Sequence, residues 1–265
     1  MELCQANVIT QGNAAAIRPF ADAQGEGQAI ERLPFTIRRV ETEDDLLKAV
    51  RIRHAAYARH VPDFARSLAL PEAADYESDT IVLLAESKLD GTPLGSTRIR
   101  TNLFRPLDVE EELELPDWLQ GRRSVEATRL GVDEGRTGRV VKMALIKACY
   151  MYCQQNDIEW SIATGRPTVA RQYEQMLFVD VFPDEGPIPL PHVGNLPHRI
   201  MAFEIASFEA RWAAARHPLY KFFFDTRHPD IDVGPRPEPR LSHLRLPQRV
   251  PAASIDLGMR EFAFA

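Results

Sequence analysis

Cysteine is scarce in this chain, with three among 265 residues. Two of them, Cys149 and Cys153, stand four apart within one helical pattern and have no metal-ligand partners nearby. Neither a disulfide framework nor a zinc site is indicated, and both read as small core residues in a reducing compartment. A basic excess is missing too: 32 Lys and Arg against 38 Asp and Glu leave a net charge of -6, which speaks against a nucleic-acid binder. No run approaches the ~20 apolar residues of a membrane span. The opening MELCQANVITQGNAAAIRPF also lacks a basic stretch followed by an apolar one. A cytoplasmic protein without a transmembrane segment is therefore expected. No internal repeat occurs, and His54, His60, His192 and His198 do not fall at ligand spacings within one element, so no metal is expected.

The composition, 45% hydrophobic, suffices for one α/β domain with a sizeable core. Residues 1–33, rich in Ala, Gly and Gln, are expected to form a flexible N-terminal extension. Residues 228–265, carrying Pro229, Pro235, Pro237, Pro239, Pro247 and Pro251, are expected to form a second, Pro-rich extension. Between them, 34–227 is expected to be a single domain.

Within that domain FTIRRV (35–40) alternates as a strand. Thr42 or Asp44 then caps a helix whose Leu46, Val50, Arg53 and Tyr57 share a face. TIVLLAES (80–87) is a continuous apolar run of the kind covered on both sides. In GTPLGSTRIR (91–100) a turn leads into a strand on which Ser96, Arg98 and Arg100 point one way. VEATRLGV (125–132) alternates likewise, yet carries Glu126 and Arg129. DEGRTG and a helix from Arg139 to about Gln155, apolar nearly all round, follow. WSIAT (160–164) is a further strand, Pro167 opens the helix TVARQYEQML, HRIMAFEIAS (198–207) is a late strand, and SFEARWAAARH a last helix. The order predicts a mixed sheet with helices on both faces, an α/β (α+β) fold.

EATRLGV, the turn DEGRTGR before an apolar helix, and ATGRPTVARQYEQMLF together resemble the Gcn5-related N-acetyltransferase (GNAT) fold. That resemblance implies that the family's fourth and fifth strands, here 125–132 and 160–164, splay apart to hold a pantetheine arm, with a helix N-terminus facing phosphate. Tyr173 and Phe178 match the family's tyrosine and following aromatic. The turn departs from the family's Q/R-x-x-G-x-G/A, having Arg139 and Val140 where small residues are usual. A carrier-bound phosphopantetheine needs one phosphate recognised, and Arg136, Gly138, Arg139 and Lys142 would suit that phosphate and an acidic carrier surface.

A narrower set is similar to the acyl-homoserine-lactone synthases and the FeeM-type N-acyl amino acid synthases. Arg53 and Tyr57 match an Arg and an aromatic of the first helix, Asp75 and Asp79 an Asp-rich turn, Arg98 a strand arginine, and Phe104 the aromatic after it. Glu126, Thr128 and Arg129 match the Glu-x-Ser-Arg signature, and GPIPLPHVGNLPHRI (186–200) resembles a Gly-Pro segment of the amino acid synthases. The resemblance implies transfer of a fatty acyl group, long-chain by expectation, from acyl-acyl carrier protein to the amine of an amino acid or similar acceptor. Acyl-coenzyme A remains a possible donor, and no tightly bound cofactor is implied.

Amide formation needs a deprotonated amine, a stabilised carbonyl oxygen and a protonated leaving thiolate. Glu126 is the candidate base, with Arg129 or Arg98 expected to hold it ionised; the alternative is a structural Glu–Arg brace. Strict alternation puts Arg129 on the face opposite Glu126 and Thr128 unless a bulge intervenes, which would leave it tying the strand to Asp75 or Asp79. Arg98 is a candidate for the acceptor's carboxylate or, equally, an ion-pair partner of those aspartates. Tyr173 is a candidate proton donor to the thiolate or a core aromatic. Met143 and Ile146 are candidates to line an acyl tunnel. Three other functions stay open: a lactone synthase using S-adenosylmethionine, an acetyl-coenzyme A enzyme, and a silent binding module.

Overall fold

The computed structural model describes residues 28–234. The expected extensions lie outside the described residues, apart from their inner ends. The strands are β1 (Ala29–Ile30), β2 (Phe35–Arg39), β3 (Thr80–Ser87), β4 (Pro93–Thr101), β5 (Ser124–Val132), β6 (Trp160–Gly165), β7 (Val179–Asp180), β8 (Ile188–Leu190), β9 (Leu196–Glu204) and β10 (Thr226–Arg227). The helices are α1 (Glu43–Ala58), α2 (Pro62–Ala65), α3 (Asp108–Glu112), α4 (Gly135–Gln155), α5 (Pro167–Gln175) and α6 (Phe208–Ala214).

The main sheet runs β2-β3-β4-β5-β6-β9-β7, with β8 also paired to β9. All its pairs are antiparallel except β5 with β6. This is the expected mixed sheet. β3 shows why its sequence is apolar throughout: Val82 and Leu84 pack with Leu46, Ala49 and Val50 of α1, while Leu83 and Ala85 enter the larger core with Phe35, Val141 and Leu145. α1 starts where expected, since the Thr42 hydroxyl accepts from the Asp45 N–H at 3.2 Å and Glu43, Asp44 and Asp45 complement the helix dipole.

α4 begins at Gly135, four residues before the expected Arg139, because the GRTG half of DEGRTG is the first helical turn rather than a loop. Gly138 makes that start possible. A Cβ there would lie 1.8 Å from the Asp133 carbonyl oxygen, so the helix rests directly on the end of β5. Gly131 plays the same part on the opposite face, where a Cβ would come within 3.0 Å of the Arg53 Cα and the Ala56 Cβ, so α1 lies close on β5. The short α2, α3, β7 and β8 carry no periodic signal and were not expected.

The packed body reaches past 34 and 227. β1 pairs with β10 in parallel, and Ile231 and Val233 are in the core. Residues 228–234 form a strap along β2: the Ile37 N–H donates to the Asp230 carbonyl, and the Asp232 N–H to the Ile37 carbonyl, both at 2.8 Å. Asp230 in turn pairs with Lys88 at 2.7 Å and accepts from the Leu33 N–H at 2.8 Å. Among the described residues, no helix is long and apolar enough to cross a membrane.

Substituting Gly138→Ala should force α4 off Asp133 and destabilise the fold by about 1–3 kcal/mol. Thermal unfolding will register this as a drop of about 2–4 °C per kcal/mol, and an unchanged midpoint would show that the helix start has slack.

Candidate active site

The site begins with one extra residue in β5. Ser96 pairs with Gly131 and Arg98 with Thr128, so Arg129 and Leu130 together face Thr97. Arg129 takes up the extra residue in the left-handed conformation, φ 54°, a position that glycine usually fills in such bulges. Immediately before the bulge, β5 stops pairing with β6: their register runs only from Ser124 with Trp160 to Ala127 with Ala163. Beyond it the two strands splay, as the family pattern implies.

The gap is a cleft of about 270 Å³. Thr128, Arg129 and Tyr57 lie on one side, Arg166 and His198 on the other, and Lys142 lines it from α4. Ala127, Leu130 and Tyr173 belong both to this cleft and to an adjoining apolar chamber of about 50 Å³. Ile146, Cys149, Cys153, Phe178, Phe203 and Phe208 line the chamber. Of the two residues expected to line an acyl tunnel, Ile146 borders this chamber and Met143 does not.

The bulge turns Arg129 to the same side as Arg98 and Arg53, into a buried network. Arg53 grips Asp75 with two bonds of 2.9 and 2.7 Å. Arg98 reaches Asp75 at 3.3 Å and Glu72 at 3.1 Å, and its Nε donates to the Thr128 hydroxyl at 3.3 Å. Arg129 holds Glu72 with two bonds of 2.8 Å, donates to the His192 carbonyl at 3.2 Å, and lies over the Phe64 ring. Three cations thus face two anions. Burial pushes the Asp75 carboxyl up, but the hydrogen bond and charge of Arg53, with Arg98 behind it, outweigh burial and hold it below the usual carboxylate range. Glu72 is lowered in the same way, chiefly by Arg129.

Four expected members of this group, Arg53, Asp75, Arg98 and Arg129, do meet. Asp79 stands apart, bound to Arg105 at 2.6 and 2.8 Å, and Phe104 is 80% exposed. Arg136 and Arg139 are exposed on the first turns of α4, while Lys142 hydrogen-bonds Gln172 across the cleft. Burial lowers the pKa of Lys142.

Glu126 differs from the expectation. Arg98 and Arg129 do not hold it ionised, because both are committed to Glu72 and Asp75. Arg100 faces Glu126 across the strand pair but sends its guanidinium to Asp108. Neither Glu126 oxygen, both buried, has a hydrogen bond of good geometry, though the Val109 backbone N–H approaches and favours the carboxylate. Burial pushes its pKa up to about 7, against which His192 is the strongest opposing influence and Arg100 a weaker one. His192 Nε2 lies 3.6 Å away, also buried and unpartnered, while its Nδ1 is 2.7 Å from Glu112. Spacing along the sequence does not reveal this pair, since His192 and Glu112 are 80 residues apart. His198 was missed as well. Its Nδ1 is tied to the Leu196 carbonyl at 2.7 Å, and burial lowers its pKa, leaving a neutral imidazole on the cleft wall. Tyr173 is raised by burial, so its phenol keeps its proton at the junction of cleft and chamber. The arrangement offers a sealed carboxyl poised near neutrality, a phenol donor, and a polar cleft leading into an apolar cavity.

The family model for the N-acyl amino acid synthase FeeM matches residues 48–204. No curated protein matches the sequence. Among solved structures, FeeM, an N-acyl amino acid synthase from uncultured soil microbes, aligns with a TM-score of 0.53 at 13% identity, covering 69% of this chain and 97% of that one. A CoA-dependent acyl-homoserine lactone synthase, BjaI, solved with SAM and isopentyl-CoA, aligns with a TM-score of 0.50 at 18% identity, covering 76% of this chain and 95% of that one. Such low identities speak for a shared fold.

Because the folded pKa of Glu126 exceeds its unfolded value, its favourable contribution is present below pH ~4.5 and is lost as pH rises to about 7. Glu126→Gln should therefore match the wild type near pH 4 and exceed it in stability above pH 7, on the order of 3 kcal/mol. Urea unfolding at the two pH values measures this, and equal stability at both would mean that the carboxylate has partners.

Proposed function

The chain belongs to the N-acyl amino acid synthase FeeM family and is an acyltransferase, and from that premise we propose that it moves a fatty acyl group from acyl carrier protein to the amino group of an amino acid or similar amine. The observation that carries this reading is the continuity of the polar cleft with the apolar chamber at Ala127, Leu130 and Tyr173. An acyl chain in the chamber and a pantetheine arm in the cleft put the thioester at that junction. There the β5 backbone beyond Ala127 has no β6 partner, leaving its amides available to a carbonyl oxygen that gains charge.

In this reading the acceptor amine approaches past Thr128. Glu126, behind the cleft wall, takes its proton directly or through a water, and a pKa of about 7 suits that task at neutral pH. Nitrogen bonds to the acyl carbon, the C–S bond breaks, and Tyr173 protonates the departing thiolate and takes in its place the second proton that the nitrogen loses. An anionic acceptor is favoured by the excess cation of the Arg53–Arg98–Arg129 network and by Arg166, which lines the cleft with no ion-pair partner among the described residues. A carrier-bound donor is favoured by the exposed Arg136 and Arg139 on α4, which match the charge of an acidic carrier on a chain that is itself acidic overall.

Lipid extracts of a bacterial host expressing the wild type should contain new N-acyl amino acids by mass spectrometry, and extracts with Glu126→Gln should lack them. In purified form, turnover should be faster with acyl-acyl carrier protein than with the same acyl-coenzyme A. Transfer that instead requires S-adenosylmethionine and yields methylthioadenosine would replace the acceptor proposed here. Ile146→Trp should shift the products toward shorter acyl chains without abolishing them, and an unchanged chain-length profile would move the acyl group out of the chamber.

A further inference from the structure

An ammonium and a thioester give an amide, a thiol and one free proton, so one proton must leave the site in every turnover. Glu126, the base in the function proposed above, cannot release it unaided, because its side chain has no solvent exposure. The groups around it are Arg100 on β4, Asp108 and Glu112 on α3, His192 on the turn after β8, and His198 on β9 near His192. Arg100 is occupied by Asp108, and His198 by the Leu196 carbonyl. That leaves His192.

His192 is held firmly. Glu112 receives both its backbone N–H, at 2.8 Å, and its Nδ1–H, at 2.7 Å, while Arg129 donates to its carbonyl. With Nδ1 donating, Nε2 carries the lone pair and faces the Glu126 carboxyl at 3.6 Å. Three buried polar atoms, His192 Nε2 and both Glu126 oxygens, have no well-formed hydrogen bond, the Val109 backbone N–H being the one donor that approaches the carboxyl. A proton on Glu126 would satisfy Nε2 once the gap closes by a few tenths of an ångström. Exposure rises along the series, from 0% for the Glu126 side chain to 10% for His192 and 16% for Glu112.

We propose that His192 and Glu112 are the proton exit of this active site. Glu126 takes the amine proton and passes it to His192 Nε2; the imidazolium gives its Nδ1 proton to Glu112, which releases it to solvent. Exchange with water, in which Nδ1 takes up one proton and Nε2 gives one up, restores the starting tautomer. His192 is thus a positioning residue that sets the charge of Glu126 and clears it for the next cycle.

The experiment compares wild type, His192→Gln, Glu112→Gln and, as the assignment control, Glu126→Gln. Initial rates of acyl transfer across the pH range accompany infrared titration of the buried carboxyl band of Glu126 in substrate-free protein. His192→Gln should lower kcat by roughly tenfold or more with little change in KM, and added imidazole should restore part of the loss. Its Glu126 band should persist to higher pH, because the imidazolium that forms when Nε2 takes the proton is no longer there to favour the carboxylate. Glu112→Gln should act in the same direction but less strongly, and it carries the test if His192→Gln does not fold. Unchanged kcat, no imidazole rescue and an unmoved band would overturn the proposal. The infrared arm needs no substrate, so a shifted band in a protein that acylates no amine would support the His192 coupling and count against the proposed acceptor. An unshifted band in an active enzyme would overturn the exit and leave the acceptor standing.

Discussion

The ion pair between Arg129 and Glu72 holds the bulge on which the site depends. One residue too many in β5 turns the strand away from β6, and without that divergence there is neither a cleft nor access to the chamber. A left-handed arginine costs about 1–3 kcal/mol in backbone strain, which two hydrogen bonds to Glu72, a bond to the His192 carbonyl and the Phe64 ring offset. The same side chain therefore opens the sheet and anchors two loops, those bearing Glu72 and His192, around the opening.

Buried charge is distributed unequally across this face. The arginine network gives each carboxylate at least two donors, as buried ions require. Glu126, on the same face, receives no side-chain donor, and only the Val109 backbone N–H approaches it. A fold selected for stability alone would give that carboxyl a partner or replace it. Its isolation has a chemical result instead, a group that changes charge near neutrality. Rigid ion pairs around a poorly solvated acid keep water and cations from relaxing it.

Much of this was legible in the sequence. β3, β4 and β5, α1 with its Thr42 cap, and α5 after Pro167 carry strong periodic or capping signals, and Arg53, Asp75, Arg98 and Arg129 could be listed together because each matches a family position. The rest was hidden for identifiable reasons. DEGRTG looks like a turn because it has no apolar periodicity, yet Gly138 makes it helix by close backbone contact. Glu72 caps a single 3-10 turn, too short to leave a pattern. His192 finds its partner on α3, an element of five residues far away in sequence, and spacing rules see only neighbours on one element. The direction of Arg129 turned on a bulge that alternation alone does not reveal.

The strap at 228–234 lies on β2, the edge strand of the main sheet. An uncovered edge offers its free N–H and C=O groups to any other extended chain, including another copy of the same protein. By satisfying Ile37 on both its amide and its carbonyl, the strap closes that edge to strand addition. A shortened protein made for expression should therefore end no earlier than Gly234. Cutting at the last regular strand would strip Ile231 and Val233 from the core and leave a ready template for self-association.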